Sequence, residues 1–345
     1  MTPISASDNS SCAVRSNGTI QCWGSNQEGE LGNGTAGNAA VPVAVSGITN
    51  AVAIFANGFA ACALLSGGSA RCWGWNTSGN LGNGTMVDSR VPVPVSGITN
   101  AVAISMGRLH TCALLSDGTV QCWGSNNSCG DLGNAAKTES SVPIPVPGIT
   151  NAVAVSAGSD STCTILSDGT VWCWGCDDLG GLRSTSQGGP SPVMVSGIGS
   201  AVAVSLGEGY GCAILSGGSV ACWGANDQLD PGAVASARAP QPVSGISNAV
   251  ALAVGEHTCV VLSTGRVQCW GDNPYGQLGN GTTVDGRVPV SVSGITSAVA
   301  IAVGGNHTCV MLSVGGVRCW GDNSYGQLGN GSIVSSPVPV EVIGL

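Results

Sequence analysis

The sequence predicts an all-β fold, a seven-bladed β-propeller with four antiparallel strands in each blade. A motif, Cys-x9-Cys-Trp-Gly, occurs seven times, and successive copies begin 47 to 51 residues apart. Each copy belongs to a repeat with four short strand-like segments, which is typical of propeller blades. The step from Cys309 through the chain ends to Cys12 spans 48 residues, close to one more repeat. A closed ring explains this matching phase, whereas an open solenoid usually has atypical end repeats.

Paired cysteines occupy one place in every repeat, with nine residues between the partners. The seven pairs are Cys12/Cys22, Cys62/Cys72, Cys112/Cys122, Cys163/Cys173, Cys212/Cys222, Cys259/Cys269 and Cys309/Cys319. No segment shows the 3.6-residue hydrophobic period of an amphipathic helix. We therefore expect a single domain of seven repeats, with approximate bounds 1–47, 48–97, 98–148, 149–197, 198–245, 246–295 and 296–345.

The third repeat illustrates the four expected strands, at residues 101–105, 111–115, 119–124 and 142–146. The last of these alternates valine or isoleucine with proline. Proline cannot donate to a strand ladder, so this strand is expected at the outer edge of the blade. The small residues of the Ala-Val-Ala-Ile strand fit the crowded inner edge. Ring closure is then expected to rest on packing between blades alone.

The register of the central hairpin follows from its turn. Asp117-Gly118 lies between two apolar runs, which indicates a hairpin. A three-residue loop with Gly118 in the left-handed region places Cys112 opposite Cys122. Side chains alternate along a strand, so the two cysteines share one face of the blade and Trp123 lies on the other. Opposed residues lie close enough for a disulfide, although seven pairs of reduced cysteines acting as small core residues are the alternative.

Two cysteines stand outside this pattern. Cys129 and Cys176 both follow the Trp-Gly pair, in adjacent repeats three and four. We interpret them as an eighth disulfide between those two loops. The zinc-like spacing Cys-x2-Cys occurs only at Cys173/Cys176, with no second such pair to complete four ligands, so no metal site is expected.

Composition restricts the class of partner. Charged residues are 8% of the chain, the net charge is −9, and Lys137 is the only lysine. Nucleic-acid binding requires clustered basic residues, so no nucleic-acid partner is expected. No apolar run approaches the length of a membrane helix, so membrane insertion is not expected either. Residues 1–11 are too polar for a secretory signal, which would have to lie outside the given sequence if the protein is exported.

One long motif carries a family resemblance. Residues 306–331 read Asn-His-Thr-Cys, then Cys-Trp-Gly-Asp-Asn-Ser-Tyr-Gly-Gln-Leu-Gly-Asn-Gly, and the match recurs at 257–281 and, with drift, in all seven repeats. This pattern resembles the repeat of the regulator of chromosome condensation family. The resemblance implies a seven-bladed propeller in which the glycines and the Trp-Gly pair are architectural.

The resemblance implies less about function. The eponymous nuclear member of the family promotes guanine-nucleotide exchange on a small GTPase and binds chromatin. This chain departs from that pattern in its paired cysteines, its near lack of lysine and its lack of a basic tail. It more closely resembles the cysteine-paired repeats of bacterial secreted or surface proteins. A secreted relative of similar architecture inhibits a β-lactamase, so such rings can present a protein-binding face.

Residues that often carry chemistry are interpreted here as structural. His110, His257 and His307 occupy one position, two residues before a first cysteine, where other repeats have serine, alanine or tyrosine. A position with such variety is expected to lie in a loop. Asp117 and Asp168 lie in hairpin turns, which favour aspartate. The Asn-Gly-Thr and Asn-Gly-Ser triplets, as at Asn83, Asn280 and Asn330, match glycosylation sequons, but we interpret them as turns.

The variable loops are the candidate binding sites. Residues 125–141, 176–190 and 225–240 depart from the Gly-x-Leu-Gly-Asn-Gly pattern of the other repeats. Their candidate binding residues are Lys137, Glu139, Asp177, Asp178, Arg183 and Arg238. Binding residues commonly lie on loops held by a rigid scaffold, although unconstrained drift would look the same.

Three functions remain open on the sequence alone. We predict a noncatalytic extracellular or cell-surface scaffold that binds a protein or glycan and needs no cofactor. A self-assembling surface or filament subunit is the alternative, suggested by the low charge and the Val-Pro outer strands. An enzyme or nucleotide-exchange factor is the third candidate.

Overall fold

A computed structural model describes residues 3–127, 129–135, 138–176, 189–224 and 237–345. These residues form strands and no helices. In chain order the strands are β1 (Ile4–Ala6), β2 (Ser10–Val14), β3 (Ile20–Gly24), β4 (Ala39–Ala44), β5 (Ala51–Asn57), β6 (Ala60–Leu65), β7 (Ala70–Gly74), β8 (Ser89–Pro94), β9 (Ala101–Met106), β10 (His110–Leu115), β11 (Val120–Gly124), β12 (Ser140–Pro145), β13 (Ala152–Ala157), β14 (Ser161–Leu166), β15 (Val171–Gly175), β16 (Gly189–Met194), β17 (Ala201–Leu206), β18 (Tyr210–Leu215), β19 (Val220–Gly224), β20 (Ala237–Pro242), β21 (Ala249–Val254), β22 (His257–Leu262), β23 (Val267–Gly271), β24 (Gly286–Ser291), β25 (Ala298–Val303), β26 (His307–Leu312), β27 (Val317–Gly321) and β28 (Ser336–Glu341).

The strands form seven sheets, each of four consecutive antiparallel strands. Each sheet is one blade of a seven-bladed β-propeller, which confirms the predicted fold class. The first strands of the blades contact one another around a central channel, and the ring closes where β1 contacts β25. The fourth strands form the outer edges, and prolines such as Pro42 and Pro92 lie there, where the lack of an N–H group is tolerated.

The central hairpin of each blade has the register that the sequence predicts. In the third blade Cys112 pairs directly with Cys122, and Leu114 pairs with Val120. The turn between β10 and β11 places Gly118 at a φ of 80°, a conformation that glycine adopts without steric cost. The strand ends differ from the predicted ones by one or two residues.

Disulfide bonds join all the paired cysteines. Each of the seven blades contains one bridge across its second and third strands: Cys12–Cys22, Cys62–Cys72, Cys112–Cys122, Cys163–Cys173, Cys212–Cys222, Cys259–Cys269 and Cys309–Cys319. An eighth, Cys129–Cys176, joins blade three to blade four. The structure therefore favours the disulfide interpretation over reduced thiols, and it agrees with the predicted bridge between two loops.

Adjacent blades pack a sulfur face against a tryptophan face. The Cys12–Cys22 bridge and Ile20 of blade one lie against Ile54 and Trp73 of blade two. The Trp73 indole N–H donates a hydrogen bond of 2.8 Å back to a main-chain carbonyl of blade one, that of Glu30. Trp73 therefore satisfies its polar atom while its ring fills the boundary between blades.

A glycine makes this tryptophan contact possible. Gly82, in the loop after the Trp-Gly pair of blade two, lies against the indole of Trp123 in blade three. A Cβ atom there would lie 2.6 Å from the indole nitrogen, and φ at this residue is 68°. Both the contact and the backbone conformation therefore exclude a larger residue.

The ring closes through the same contacts that join the internal blades. The Trp23 indole of blade one donates to the Gln327 carbonyl of blade seven at 2.8 Å. Ile4 and Trp23 pack in one cluster with Cys309 and Cys319. Each sheet is built from consecutive strands, so no strand is exchanged between the first and last blades. Closure by packing, as the sequence predicts, is the arrangement observed.

Candidate functional site

One face of the ring, here called the loop face, carries two sets of loops. The mouth loops join the first strand of each blade to the second, at residues 7–9, 58–59, 107–109, 158–160, 207–209, 255–256 and 304–306. The long loops follow the third strand, and those described in full are residues 25–38, 75–88, 272–285 and 322–335. The opposite face, called the hairpin face, carries turns of four or five residues and the connections between blades.

The two sets of loops are tied together in the same way in several blades. The first residue of a long loop donates its backbone N–H to the carbonyl of the adjacent mouth loop. Such bonds join Trp75 to Phe59 at 3.0 Å and Ser125 to Leu109 at 2.8 Å. The loop face is therefore a connected surface held by the sheets beneath it, rather than a set of independent loops.

A cavity of about 260 Å³ lies where the inner strands end at this face. All seven blades contribute to its lining, which includes Ser5, Ser105, Ser156 and Ser205. Pockets for drug-sized ligands are commonly about 300–1,000 Å³. The cavity volume lies just below this range, and it has room for one side chain of a partner.

Charged side chains surround the opening of this cavity. Asp8, Glu208 and Glu256 lie on mouth loops of blades one, five and six, and Arg108 lies on that of blade three. Loss of solvation is the main cause that raises the pKa of Asp8, which Glu208 raises further and Arg108 lowers. Loss of solvation also raises the pKa of Glu256, together with the charges of Asp8 and Glu208. The opening thus has a net negative potential.

Exposed aromatic and aliphatic side chains extend from this opening along the loop face. Phe59, 43% exposed, meets the Trp75 ring edge to face with centroids 6.3 Å apart. Tyr275, Val87 and Val284 are exposed on long loops of blades two and six. Aromatic side chains such as Phe59 and Tyr275 are enriched in surfaces that bind other proteins. Phe59 and Trp75 were not predicted from the sequence, although Trp75 is a tryptophan outside the repeated motif.

The histidines correct one expectation from the sequence. His110, His257 and His307 do not lie in loops; each is the buried first residue of a second strand. The position is buried, and its longer side chains face the next blade rather than solvent. Tyr210 shows this, since its hydroxyl reaches Thr258 of the next blade at 2.8 Å.

The histidine rings make a hydrogen bond that defines their tautomer. The Thr308 hydroxyl donates to the Gln277 carbonyl at 2.9 Å, so it accepts the hydrogen bond of 2.6 Å from His257 Nε2. The other ring nitrogen, Nδ1, is buried without a hydrogen-bond partner. The pKa of His257 is lowered to about 3, mainly by burial and second by the charge of His307. The imidazole is therefore neutral in the folded protein.

We expect these histidines to make the fold acid-sensitive. Burial lowers the pKa of His110 and His307 to about 4, below the value near 6.5 of an unfolded chain. The unfolded state therefore binds more protons between pH 6.5 and about 4, so stability is complete above this range and falls as the pH is lowered through it. Each histidine is expected to contribute on the order of 3 kcal/mol to this loss.

Urea unfolding midpoints measured from pH 7 to pH 4 test this expectation. A variant with tyrosine at all three positions, as at Tyr210, serves as the control because tyrosine does not titrate in this range. Its stability should decline less steeply than that of the native protein. Equal declines for the two proteins would contradict the assignment.

The other candidate residues from the sequence have separate outcomes. Glu139 is exposed near the end of the long loop of blade three. Arg238 was expected in a loop, but it lies in outer strand β20, where Ala-Arg-Ala-Pro replaces the usual Val-Pro alternation. Lys137, Asp177, Asp178 and Arg183 lie outside the described residues. The structure thus does not bring the six residues together as one site, and their binding role remains a prediction.

Asp117 and Asp168 lie in hairpin turns, as the sequence predicts. The Asp117 carboxylate accepts the hydroxyl of Thr119 at 2.7 Å, and this bond is the main cause that lowers its pKa. Within the described residues, no three His, Cys, Asp or Glu side chains are arranged to hold a metal ion. No helix with the length and apolar character of a membrane span occurs in the described part of the chain.

Comparison with solved structures identifies similar folds. Yeast RCC1 (Prp20), solved bound to Kap60, has a TM-score of 0.84 at 20% identity, with 95% of this chain and 84% of that chain covered. Prp20p from Saccharomyces cerevisiae, in a study of its binding to Gsp1p and histones, gives 0.82 at 19% identity over 95% and 87%. The ACR4 receptor kinase ectodomain from Arabidopsis thaliana gives 0.59 at 21% identity over 98% of each chain. These identities establish similarity of fold alone.

Comparison with family models is more specific. No curated protein matches the sequence significantly. Two family models described as the regulator of chromosome condensation (RCC1) repeat match the chain. One matches residues 68–114, 117–165, 264–311 and 315–345, and the other matches 4–30, 51–80, 101–131, 152–180, 249–277 and 298–327. Since these matches cover more than half of the sequence, the chain belongs to the regulator of chromosome condensation (RCC1) repeat family.

Proposed function

We propose that the protein is a noncatalytic extracellular scaffold that binds a protein partner on its loop face. The observation that carries this proposal is the concentration of mouth loops, long loops and exposed aromatic side chains on one face of a rigid ring. Rigid scaffolds commonly carry binding residues on such loops. The hairpin face has only short turns and connections and offers less surface for variation.

The disulfides support the proposed extracellular location. Eight bridges use all sixteen cysteines of the chain. Bridges of this number persist in oxidising compartments and are rare in reducing ones. The scaffold is therefore expected at the cell surface or outside the cell.

The chemistry of the loop face favours a protein over other ligands. The central cavity has room for a side chain, and Phe59 and Tyr275 supply exposed aromatic contacts on the same face of the ring. Aromatic anchors of this kind dominate the energetics of protein interfaces. The solved relative Prp20p was studied for binding to Gsp1p and histones, so a propeller with this fold can serve protein recognition.

A pair of matched variants tests the proposal. Phe59→Ala with Tyr275→Ala removes exposed aromatic groups from the loop face, whereas Val102→Ala with Val299→Ala removes exposed valines near the hairpin face. Extracellular proteins captured by the immobilised native protein are quantified for both variants, and a glycan array is probed in parallel. We expect the loop-face variant to weaken capture about tenfold or more, since interface anchors contribute over 1 kcal/mol each.

The hairpin-face variant is the control for this experiment. The hairpin-face variant should capture the same proteins as the native chain. A partner that binds both variants equally, or binding to glycans alone, would contradict the proposal. Light scattering separates the self-assembly alternative, because a monomer at all concentrations excludes it.

A further inference from the structure

An amide pair spans the boundary between blades six and seven. Gln277, in a long loop of blade six, is fully buried. Its Oε1 accepts the backbone N–H of Tyr275 at 3.0 Å, and its Nε2 donates to Asn306 Oδ1 in the mouth loop of blade seven at 3.2 Å. One end of the side chain thus binds its own loop, and the other end binds the neighbouring blade.

Asp131 occupies the place of Gln277 at the boundary between blades three and four. Each of these residues presents its main-chain carbonyl to the indole of the next blade, Trp320 at 2.8 Å for Gln277 and Trp174 at 2.9 Å for Asp131. Each also directly precedes a leucine whose backbone N–H donates to the side chain of the asparagine that is the second residue of the same long loop. The two side chains are therefore equivalent in position.

Asp160 in turn occupies the place of Asn306. Both residues directly precede the first residue of a second strand, Ser161 and His307. Both also accept, through their main-chain carbonyls, the backbone N–H that begins the long loop of the same blade. Where blades six and seven have two amides, blades three and four thus have two carboxyl groups.

The Asp131 carboxyl group lacks the donor that Gln277 provides. Asp131 is 1% exposed, and its Oδ1 is buried without a hydrogen-bond partner. Its carboxyl group accepts a hydrogen bond from the Asn127 backbone, which lowers its pKa, but burial and then the Asp160 charge raise that pKa to about 8. The Asn127 side chain donates to Asp160 Oδ1 at 3.3 Å, so Asn127 binds both carboxyl groups.

We propose that Asp131 and Asp160 share one proton across the boundary between blades three and four. The proton resides on Asp131 Oδ1 and is donated to the Asp160 carboxylate, which reproduces the hydrogen bond from Gln277 Nε2 to Asn306. In alkaline solution the proton is released to water, two adjacent carboxylates then repel, and this contact opens.

The groups around the two carboxyl groups are consistent with a shared proton. Among the described residues, the charged group that acts on Asp131 from the neighbouring blade is Asp160, and its own loop contributes the Asn127 backbone N–H. The Cys129–Cys176 bridge joins the long loops of the same two blades, and the Cys176 backbone N–H donates to the Asp160 carbonyl in the adjacent mouth loop at 2.7 Å. The bridge therefore keeps the loops tethered when the proton-dependent contact is lost, which makes this part of the loop face responsive to pH without separation of the blades.

Thermal unfolding as a function of pH tests the proposal in the intact, oxidised protein. A raised pKa means that the folded state retains a proton that the unfolded state has lost, so stability falls as the pH rises toward about 8 and is level above it. Between pH 7 and pH 9 the unfolding midpoint of the native protein should fall by about 2 °C. The variant D131N places an amide donor at this position, and its midpoint should stay level and exceed the native value at pH 9.

Two further measurements distinguish a shared proton from a merely structural role. D131N should lose one carboxylic-acid C=O band from the infrared spectrum of the folded protein at pH 6.5. The variant D117N, which changes an exposed turn, should retain both that band and the native pH profile. If D131N keeps the pH profile of the native protein, the proposal is overturned. It is also overturned if EDTA abolishes the pH profile of the native protein, because the carboxyl pair would then bind a cation.

Discussion

Complete reduction of the disulfides is expected to unfold the protein at room temperature without denaturant. Each bridge within a blade joins cysteines ten residues apart, and a loop of that length contributes about 3 kcal/mol by restricting the unfolded chain. Seven such contributions together approach about 20 kcal/mol, more than the 5–15 kcal/mol of a typical domain. Far-ultraviolet circular dichroism and tryptophan fluorescence, recorded before and after reduction and alkylation, measure the outcome.

The bridge between blades provides the control. A Cys129→Ser, Cys176→Ser variant lacks only that bridge, whose partners are 47 residues apart. It is expected to lose about 4 kcal/mol and to remain folded, because every blade keeps its own bridge. A fully reduced protein that kept native circular dichroism and buried tryptophans would show that packing alone holds the blades.

Replacing a boundary tryptophan is the second change with a large expected effect. Trp174 is fully buried between blades three and four, and its indole donates to the Asp131 carbonyl at 2.9 Å. Trp174→Ala is expected to cost about 3–5 kcal/mol, since it leaves a cavity and an unsatisfied buried carbonyl. Urea unfolding of the oxidised protein measures this loss.

Trp172 is a matched control two residues earlier on the same strand. It is only half-buried, and its indole donates to the Thr170 hydroxyl in the exposed turn of its own blade at 3.1 Å. Trp172→Ala is expected to cost about 1 kcal/mol or less. Similar losses for the two variants would refute the view that the repeated tryptophan, rather than tryptophan in general, stabilises the boundary.

The sequence predicts the sheets well because their determinants are local and repeated. The turn at Asp117-Gly118 fixes a register, and that register places Cys112 opposite Cys122 in the structure. Proline identifies the outer strands because an edge is the one place where a missing N–H is tolerated. Seven copies of each signal also reduce the effect of drift in any single blade.

The sequence predicts the candidate site less well because its parts come from distant segments. Asp8, Glu208 and Glu256 become neighbours of one opening only when the ring closes. The prediction that the histidine position lies in a loop was wrong for a different reason. Variety among its residues was interpreted as exposure, whereas Tyr210 and His257 both reach a hydroxyl of the next blade. Substitution in one repeat can thus preserve a contact that no single repeat contains.

The distribution of covalent bonds determines how the ring would respond to a pulling force. Seven bridges lie within blades and only Cys129–Cys176 crosses a boundary. Tension on the two termini would separate blade seven from blade one first, because the chain connects every other pair of adjacent blades and this seam is held by packing and hydrogen bonds alone. The blades would then unfold one after another, and each would extend by less than its full chain length because the segment between its two cysteines stays closed by the bridge. Blades three and four would stay linked to each other until the Cys129–Cys176 bridge is cut.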